Sequence, residues 1–349
     1  MKTFIRASLI ALCAATMPLA SAHAASTPNY VSEAARTVEG GRAVQVVVGQ
    51  GEIKSNIAPV VIPAPGLLGG LIAAGIASKM EADRAQKAEA TITPVRDALG
   101  GFDTDGLALD TTKNALAKVD WMQADPVQFS KDSTTIGKST VLDAATAAQI
   151  AFFDYSYDMS ADFASIRVTT FIQFANKAPT NSDKPEQRLT KPAYGQSIIT
   201  IVQLPNPGTD IAANAQRWAA DDGKLARAAL TQAFGDTEAL IPRALALSSD
   251  ADVKALNSKD KIKQIVGGFS GRLQEREGTH TLIWANAFIE SDSLQDAPAT
   301  PAAAPTAPDA QTPPADAATP AAPDTPSAPA QSDSPASPPA DSQPQAQPQ

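Results

Sequence analysis

Alternating apolar and polar positions in the middle of the chain predict a long antiparallel hairpin. The stretches QIAFFDYSYDM, from Gln149, and FASIRVTTFIQF, from Phe163, are rich in aromatic and β-branched residues and are joined by Ser160-Ala161-Asp162. Side chains alternate between the two faces of a strand, so each strand should bury one row. These rows are Phe153, Tyr155, Tyr157 and Met159 in the first strand, and Ile166, Val168, Thr170, Ile172 and Phe174 in the second. A third strand is predicted from Tyr194 to Leu204.

A helical spacing of apolar residues marks the region before this hairpin. Four apolar residues follow one another at intervals of four, three and four positions, which places them on one face of a helix: Ala88, Ile92, Val95 and Leu99. The predicted helix begins at Gly66, is kinked or divided by Pro94, and stops at Gly100-Gly101. A second helix is predicted from Thr111 to Met122.

Further elements are predicted on both sides of this region. Short strands are expected at Ala43–Val48 and Glu52–Ile57, and a closing hairpin around Gly278-Thr279. Helices are expected over 209–220, 221–234 and 238–247. Asp221 or Asp222 should cap the second of these helices. Because helices and strands come in separate runs, the pattern predicts an α+β fold, with helices packed on an antiparallel sheet of hairpins.

The segment GLLGGLIAAGIAS, residues 66–78, separates its side chains by size when it is placed on a helix. The bulky side contains Leu67, Leu68, Leu71, Ile72 and Ile76. The small side contains Gly66, Gly69, Gly70, Ala73, Ala74, Ala77 and Ser78. Glycine in a helix costs up to ~1 kcal/mol relative to alanine, and a close approach by a second helix offsets such a cost. The sequence therefore predicts an interaction surface on the small side.

Several partners could fit this surface. Thirteen residues make a helix about 20 Å long, against a hydrocarbon core of roughly 30 Å, and charged residues follow at 79–89. A membrane span is therefore disfavoured, although membrane association stays open as an alternative. The remaining alternatives are packing within the chain and packing between chains, against a second copy or an envelope protein partner.

The small-residue pattern resembles the glycine-zipper segments found in many envelope proteins of Gram-negative bacteria. The phrase YSYDMSADFASIRV, from Tyr155 to Val168, is similar to a strand-turn-strand in uncharacterised exported proteobacterial proteins. Both resemblances imply a cellular location and no particular activity.

The two ends of the chain predict export and disorder. Positive residues near the start, the apolar run Ala7–Leu19 and the sequence Ala22-His23-Ala24 form a signal-peptide pattern, with cleavage before Ala25. Residues 297–349 hold 15 of the 28 prolines and no Lys, Arg or aromatic residue, which predicts a disordered Pro/Ala-rich tail. The predicted organisation is a signal peptide at 1–24, an N-terminal segment with short strands at 25–58, an α+β domain at 59–296 and the tail at 297–349.

Charge and cysteine usage narrow the functional classes. Loss of residues 1–24 removes Lys2, Arg6 and Cys13, and it moves the formal charge from −9 to −11 because no acid is lost. Phosphate binding needs clustered Lys and Arg, so no nucleic-acid partner is expected. The mature chain keeps one histidine, His280, and no cysteine. We therefore expect no disulfide, no cysteine nucleophile, no metal site and no cofactor.

Two short motifs suggest acyl or phosphoryl chemistry but are incomplete. Gly137-Lys138-Ser139 matches the end of a phosphate-binding loop, yet Asp132 stands where the first glycine is required, so a polar loop is expected. Ser258 and Lys261 have the spacing of a nucleophile and its base, but the companion K-T-G is missing.

Two other features are explained more simply by structure. Asp103, Asp105 and Asp110 match part of a calcium loop, but Gly101 and Thr112 fall at two ligand positions, so a capped turn between helices is expected. His280 lies in the predicted closing hairpin without an evident partner, as an ordinary strand residue. No catalytic residue is therefore assigned.

These patterns predict an exported, non-enzymatic binding or assembly protein of the periplasm or cell envelope, or an extracellular one. The alternatives are a periplasmic or secreted hydrolase with an unidentified carboxylate site and a peripheral outer-membrane protein.

Overall fold

The computed structural model describes residues 27–56, 67–122, 126–177, 189 and 192–295, without the side chains of 67–79 and 81. The predicted signal peptide and tail lie outside these ranges. The described helices are α1 (Glu33–Arg36), α2 (Leu67–Ala98), α3 (Thr104–Leu116), α4 (Thr135–Ala144), α5 (Ile211–Ala246) and α6 (Asp250–Leu256). The described strands are β1 (Arg42–Val48), β2 (Lys54–Ser55), β3 (Val127–Ser130), β4 (Gln149–Met159), β5 (Ser165–Asn176), β6 (Tyr194–Gln203), β7 (Lys263–Val266), β8 (Phe269–Glu277), β9 (His280–Trp284) and β10 (Phe288–Ser293).

All ten strands belong to one mixed, mostly antiparallel sheet. Its order is β3-β1-β4-β5-β6-β10-β9-β8-β7, with β2 beside β4. The pairs within β4-β5-β6 and within β7-β8-β9-β10 are antiparallel. The α+β class is confirmed, but a sheet made only of hairpins is wrong. β1 runs parallel to β3 and β4, β2 runs parallel to β4, and β10 runs parallel to β6.

The β4-β5 hairpin follows the predicted alternation. Phe153 pairs with Ile172, and Tyr157 pairs with Val168, in an unbroken antiparallel register. Every residue of the two predicted apolar rows is buried. The third predicted strand, β6, pairs with β5 along its whole length. Period-two alternation therefore identifies both the strands and the face that they bury.

Helices α2, α3 and α5 cover this buried face and complete the main core. Ile92 and Val95 of α2 are fully buried, as the helical spacing predicts. α2 continues through Pro94 without a break and ends at Ala98. Gly101 follows with a φ of +75°. Trp218 of α5 is fully buried and donates from Nε1 to the Phe163 carbonyl at 2.7 Å.

The predicted break in α5 is present. Residues 220–223 leave the helical conformation, and Asp221, Asp222 and Gly223 have φ values of +51°, +56° and +70°. A Cβ on Gly223 would lie 3.0 Å from the Ala98 carbonyl oxygen, so glycine lets the end of α2 approach this bend closely. Beyond the bend, the helix continues through Pro242 to Ala246, so a separate helix over 238–247 is not present.

Several predicted boundaries are wrong. α3 begins at Thr104 instead of Thr111, because the Asp103 side chain caps it by accepting from Gly106 N at 2.8 Å. The strand predicted over Glu52–Ile57 is reduced to β2 among the described residues. The closing hairpin contains four strands, β7 to β10, because tight turns at Gly267-Gly268 and at Asn286 (φ +55°) add to the predicted one at Gly278.

The opposite face of the sheet is covered only in part. At one end, Leu142 of α4 packs with Val47, Ile150 and Phe152. At the other end, the tip of the β7-β8 hairpin lies over Ile201, where a Cβ on Gly267 would collide with the Ile201 side chain. Between them lies a polar region, here called the open face, which comprises Asp154, Ser156, Asp158, Arg167, Thr169, Phe171 and Gln203.

Candidate functional site

The predicted interaction surface lies at the start of α2. Gly69, Gly70, Ala73, Ala74, Ala77 and Ser78 fall within the helix, and Gly66 lies outside the described residues. The side chains of Met80 and of residues 82–87 are all exposed, and the first fully buried one is Ile92. The described side chains next to the predicted surface are therefore exposed, and burial on the helix begins further along. The contacts of the small residues themselves stay a prediction.

The largest cavity described here, about 590 Å³, lies at one end of the open face. The polar residues in its lining include Asn56, Asp158, Asp162, Arg167 and Gln203, and the turn Gly267-Gly268 also borders it. A smaller cavity of about 270 Å³ extends beside Asp154, Ser156, Thr169 and Phe171. Both cavities lie over the central strands β4 and β5 and are here together called the groove; the turn of the β7-β8 hairpin borders only the larger one.

An ion pair within the larger cavity orients its polar groups. Arg167 binds both carboxylate oxygens of Asp158, with Nη2–O distances of 2.8 and 2.9 Å. Register places the two residues opposite each other on β4 and β5. Burial raises the pKa of Asp158, and the hydrogen bonds from Arg167 oppose that shift. The pair gives the cavity fixed donors and acceptors with little net charge.

A second ion pair explains the motif Gly137-Lys138-Ser139. These residues lie in the first turns of α4, so the polar loop predicted there is wrong. Lys138 Nζ lies 2.5 Å from Asp154 Oδ1 on β4, and both side chains are less than one-fifth exposed. Asp132 lies against Gly137, where its carboxylate occupies the place that an anion would need. The lysine is thus used within the fold.

A cluster of carboxyl groups, here called the carboxylate cluster, lies on the helix-covered face. It comprises Glu290 and Asp292 of β10 and Asp236 of α5. Glu290 and Asp292 are only 7% and 8% exposed. Burial, with repulsion from Asp236, raises the pKa of Glu290 to about 8. Burial, with repulsion from Asp292, raises the pKa of Asp236 to about 6.

The cluster also corrects the expectation for His280. This residue does have a partner, because its Nδ1 lies 3.2 Å from Glu290 Oε1. Sequence analysis missed the contact because β9 and β10 come together through a turn that the predicted hairpin did not contain. Within the described residues, no group of three or more His, Cys, Asp or Glu side chains is arranged to hold a metal ion. Asp103, from the incomplete calcium loop, instead caps α3.

Comparisons of the chain with protein-family models, with curated proteins and with solved structures give no match. Every helix in the described part of the chain is too short or too polar to cross a membrane. The described residues offer three candidate features for a function. These are the exposed part of α2, the groove on the open face and the buried carboxylate cluster.

Proposed function

We propose that this chain is an exported, non-enzymatic protein of the cell envelope that assembles with another protein through the small-residue side of α2. The supporting observation is the exposure pattern of that helix. Side chains at 80 and 82–87 face solvent, while Ile92 and Val95 are fully buried. Arg84 and Lys87 line a cavity of about 360 Å³ together with Phe163, and among the described side chains full burial begins only at Ile92, in the C-terminal third of this 32-residue helix.

The exposure pattern favours packing between chains over packing within the chain. At 1.5 Å per residue, Ser78 is about 20 Å along the helix axis from Ile92. A helix that carries three glycines, and whose side chains at 80 and 82–87 are exposed, gains stability when a second helix packs on it. The partner is a second copy of the chain or another envelope protein, in line with the glycine-zipper resemblance.

Assembly can be tested by measuring the native mass of the mature chain, from Ala25, by light scattering. We expect an oligomer, or a complex with an envelope protein recovered by cross-linking in cells. Gly70→Leu with Ala74→Leu should abolish it, because large side chains keep the two backbones apart. Ala85→Leu is the matched control, since Ala85 is exposed on the same helix outside the predicted surface.

Two outcomes would overturn the proposal. One is a monomer that cross-links to no protein in cells. The other is an assembly whose mass is the same in the double variant and in the wild type. Fractionation of cells tests export and the membrane alternative together. A mature protein released with the soluble periplasmic fraction supports the proposal, whereas resistance to carbonate extraction favours a peripheral outer-membrane protein.

A hydrolase is the second candidate, and the carboxylate cluster favours it. Near neutral pH, Glu290 holds a proton while Asp236 is largely ionised, which is the division needed for a general acid and a general base. The burial of Glu290 counts against it, and the two cavities of the groove do not include the cluster. Hydrolysis of ester, glycoside or peptide substrates that is lost in Glu290→Gln would establish this candidate.

A further inference from the structure

An excess of acidic groups meets between α5 and strands β8 to β10, and the proposed assembly makes no use of it. α5 supplies Asp236 and Arg243, β10 supplies Glu290 and Asp292, β9 supplies His280, and β8 supplies Glu275. On the remaining side, the β6 residue paired with Glu290 is the uncharged Thr200. Arg243 already forms a bidentate pair with Glu275, at 2.8 and 3.1 Å. The carboxylate cluster therefore has few positive charges available to it.

Hydrogen bonds are distributed unequally within the cluster. Asp292 accepts from Thr279 Oγ1 at 2.5 Å, from the Ser293 amide at 2.7 Å and from Gln295 Nε2 at 3.4 Å. Among the described residues, His280 Nδ1 is the one polar atom paired with the Glu290 carboxyl, and the Asp236 carboxyl has no hydrogen-bond donor. Asp292 thus accepts three hydrogen bonds from its surroundings. Its two neighbours lack such donors.

We propose that the contact between α5 and β10 is a pH-sensitive clasp, closed when Asp236 and Glu290 hold protons and loosened when both ionise. In acid, the two neutral carboxyl groups pack beside Asp292 without repulsion. In alkali, three like charges lie in one poorly solvated interface. Loosening separates α5 from β9 and β10 and exposes Trp284 and Phe288, whose rings pack edge-to-face, with Arg243 over the ring of Phe288.

The direction in which pH changes the stability of this contact follows from the raised pKa values of Asp236 and Glu290. A carboxyl whose pKa is higher in the folded protein than in the unfolded chain binds a proton on folding, so its stabilising effect is complete in acid. For Glu290, that effect is lost as the pH rises from its ordinary pKa of 4.5 to about 8. For Asp236, it is lost between 3.8 and about 6. As the pH rises, ionisation of either group therefore weakens the contact between α5 and β10.

Hydrogen exchange of the full mature chain, reported as protection factors that correct for the intrinsic effect of pH, tests the clasp directly. Between pH 5 and pH 9, we expect protection within residues 280–293 to fall about tenfold or more. Protection in β4 and β5 should stay constant. Glu290→Gln, which keeps the shape and removes the titration, should abolish most of the fall. Asp236→Asn serves as a second variant if Glu290→Gln does not fold, and it should reduce the fall between pH 5 and pH 7.

Glu238→Gln is the matched control. Glu238 lies on the same helix, but it pairs with Lys118 at 2.6 Å, and its pKa is lowered by that contact. Its substitution should leave the alkaline fall unchanged. Protection in residues 280–293 that does not change with pH, or an equal fall in wild type and both cluster variants, would overturn the clasp. These outcomes do not depend on native mass, so the clasp and the proposed assembly can fail separately.

Discussion

The two faces of the sheet are built differently although they share the same strands. On one face, aromatic and aliphatic side chains form a continuous core beneath α2, α3 and α5. On the other, α4 and the tip of the β7-β8 hairpin cover only the two ends, and ion pairs lie between them. One face thus supplies stability through apolar burial, while the other leaves fixed polar groups accessible to a ligand.

β5 allows the sharpest test of this difference, because it carries a phenylalanine on each face. Phe174 is fully buried, lies 4.9 Å from the Tyr194 ring and stacks against Arg42 at 5.0 Å. Phe174→Ala should therefore lower the free energy of unfolding by about 3–5 kcal/mol, from lost burial and the cavity left behind. Urea denaturation measures the change. A loss below 1 kcal/mol would mean that the helix-covered face is not the main source of stability.

Substitution of Lys138, which pairs with Asp154 of the open face, should have an intermediate effect on the free energy of unfolding. Burial already raises the pKa of Asp154, and Lys138 opposes that shift. Lys138→Met should cost roughly 1–3 kcal/mol at pH 7, because Asp154 keeps its charge without its cation. The loss should shrink as the pH falls below the raised pKa of Asp154, because the protonated carboxyl no longer needs the lysine.

The exposed pair of Lys118 and Glu238 provides the comparison for that variant. Lys118 is 55% exposed, so Lys118→Met should change stability by less than about 0.5 kcal/mol. Equal effects at both lysines would show that the Lys138–Asp154 pair behaves as an ordinary surface ion pair.

A small effect is also expected at Phe171, three residues from Phe174 on the same strand. Its ring is 37% exposed and lines the groove beside Thr169. Phe171→Ala should cost less than about 1 kcal/mol in the same urea experiment. A cost equal to that of Phe174→Ala would contradict the contrast between the faces.

The sequence predicts one face of the sheet much better than the other. Strict alternation from Phe153 to Met159 identifies the buried row, and the bend at residues 221–223 is visible as Asp-Asp-Gly. These signals are local, so they survive without knowledge of the fold. α4 was missed because Thr134, its N-cap, stands in a polar stretch that also suits a loop.

The candidate sites depend on contacts that no local pattern contains. Asp236 and Glu290 lie 54 positions apart, and only the parallel pairing of β6 with β10 brings β10 beneath α5. Asp158 and Arg167 are closer in sequence, yet their pairing depends on the register of the hairpin. The small-residue side of α2 was predicted as a surface, and its partner still has to be found by experiment.

The parallel pairing of β6 with β10 has a consequence for synthesis of the chain. Strands β4, β5 and β6 are consecutive and can pair as soon as they emerge, but the outer edge of β6 meets its neighbour only after residue 288 has been added. Until then, Ile199 and Ile201 belong to an unprotected strand edge, which invites pairing with other chains. A nascent or truncated chain that ends before β10 is therefore the form most exposed to aggregation and most in need of a chaperone.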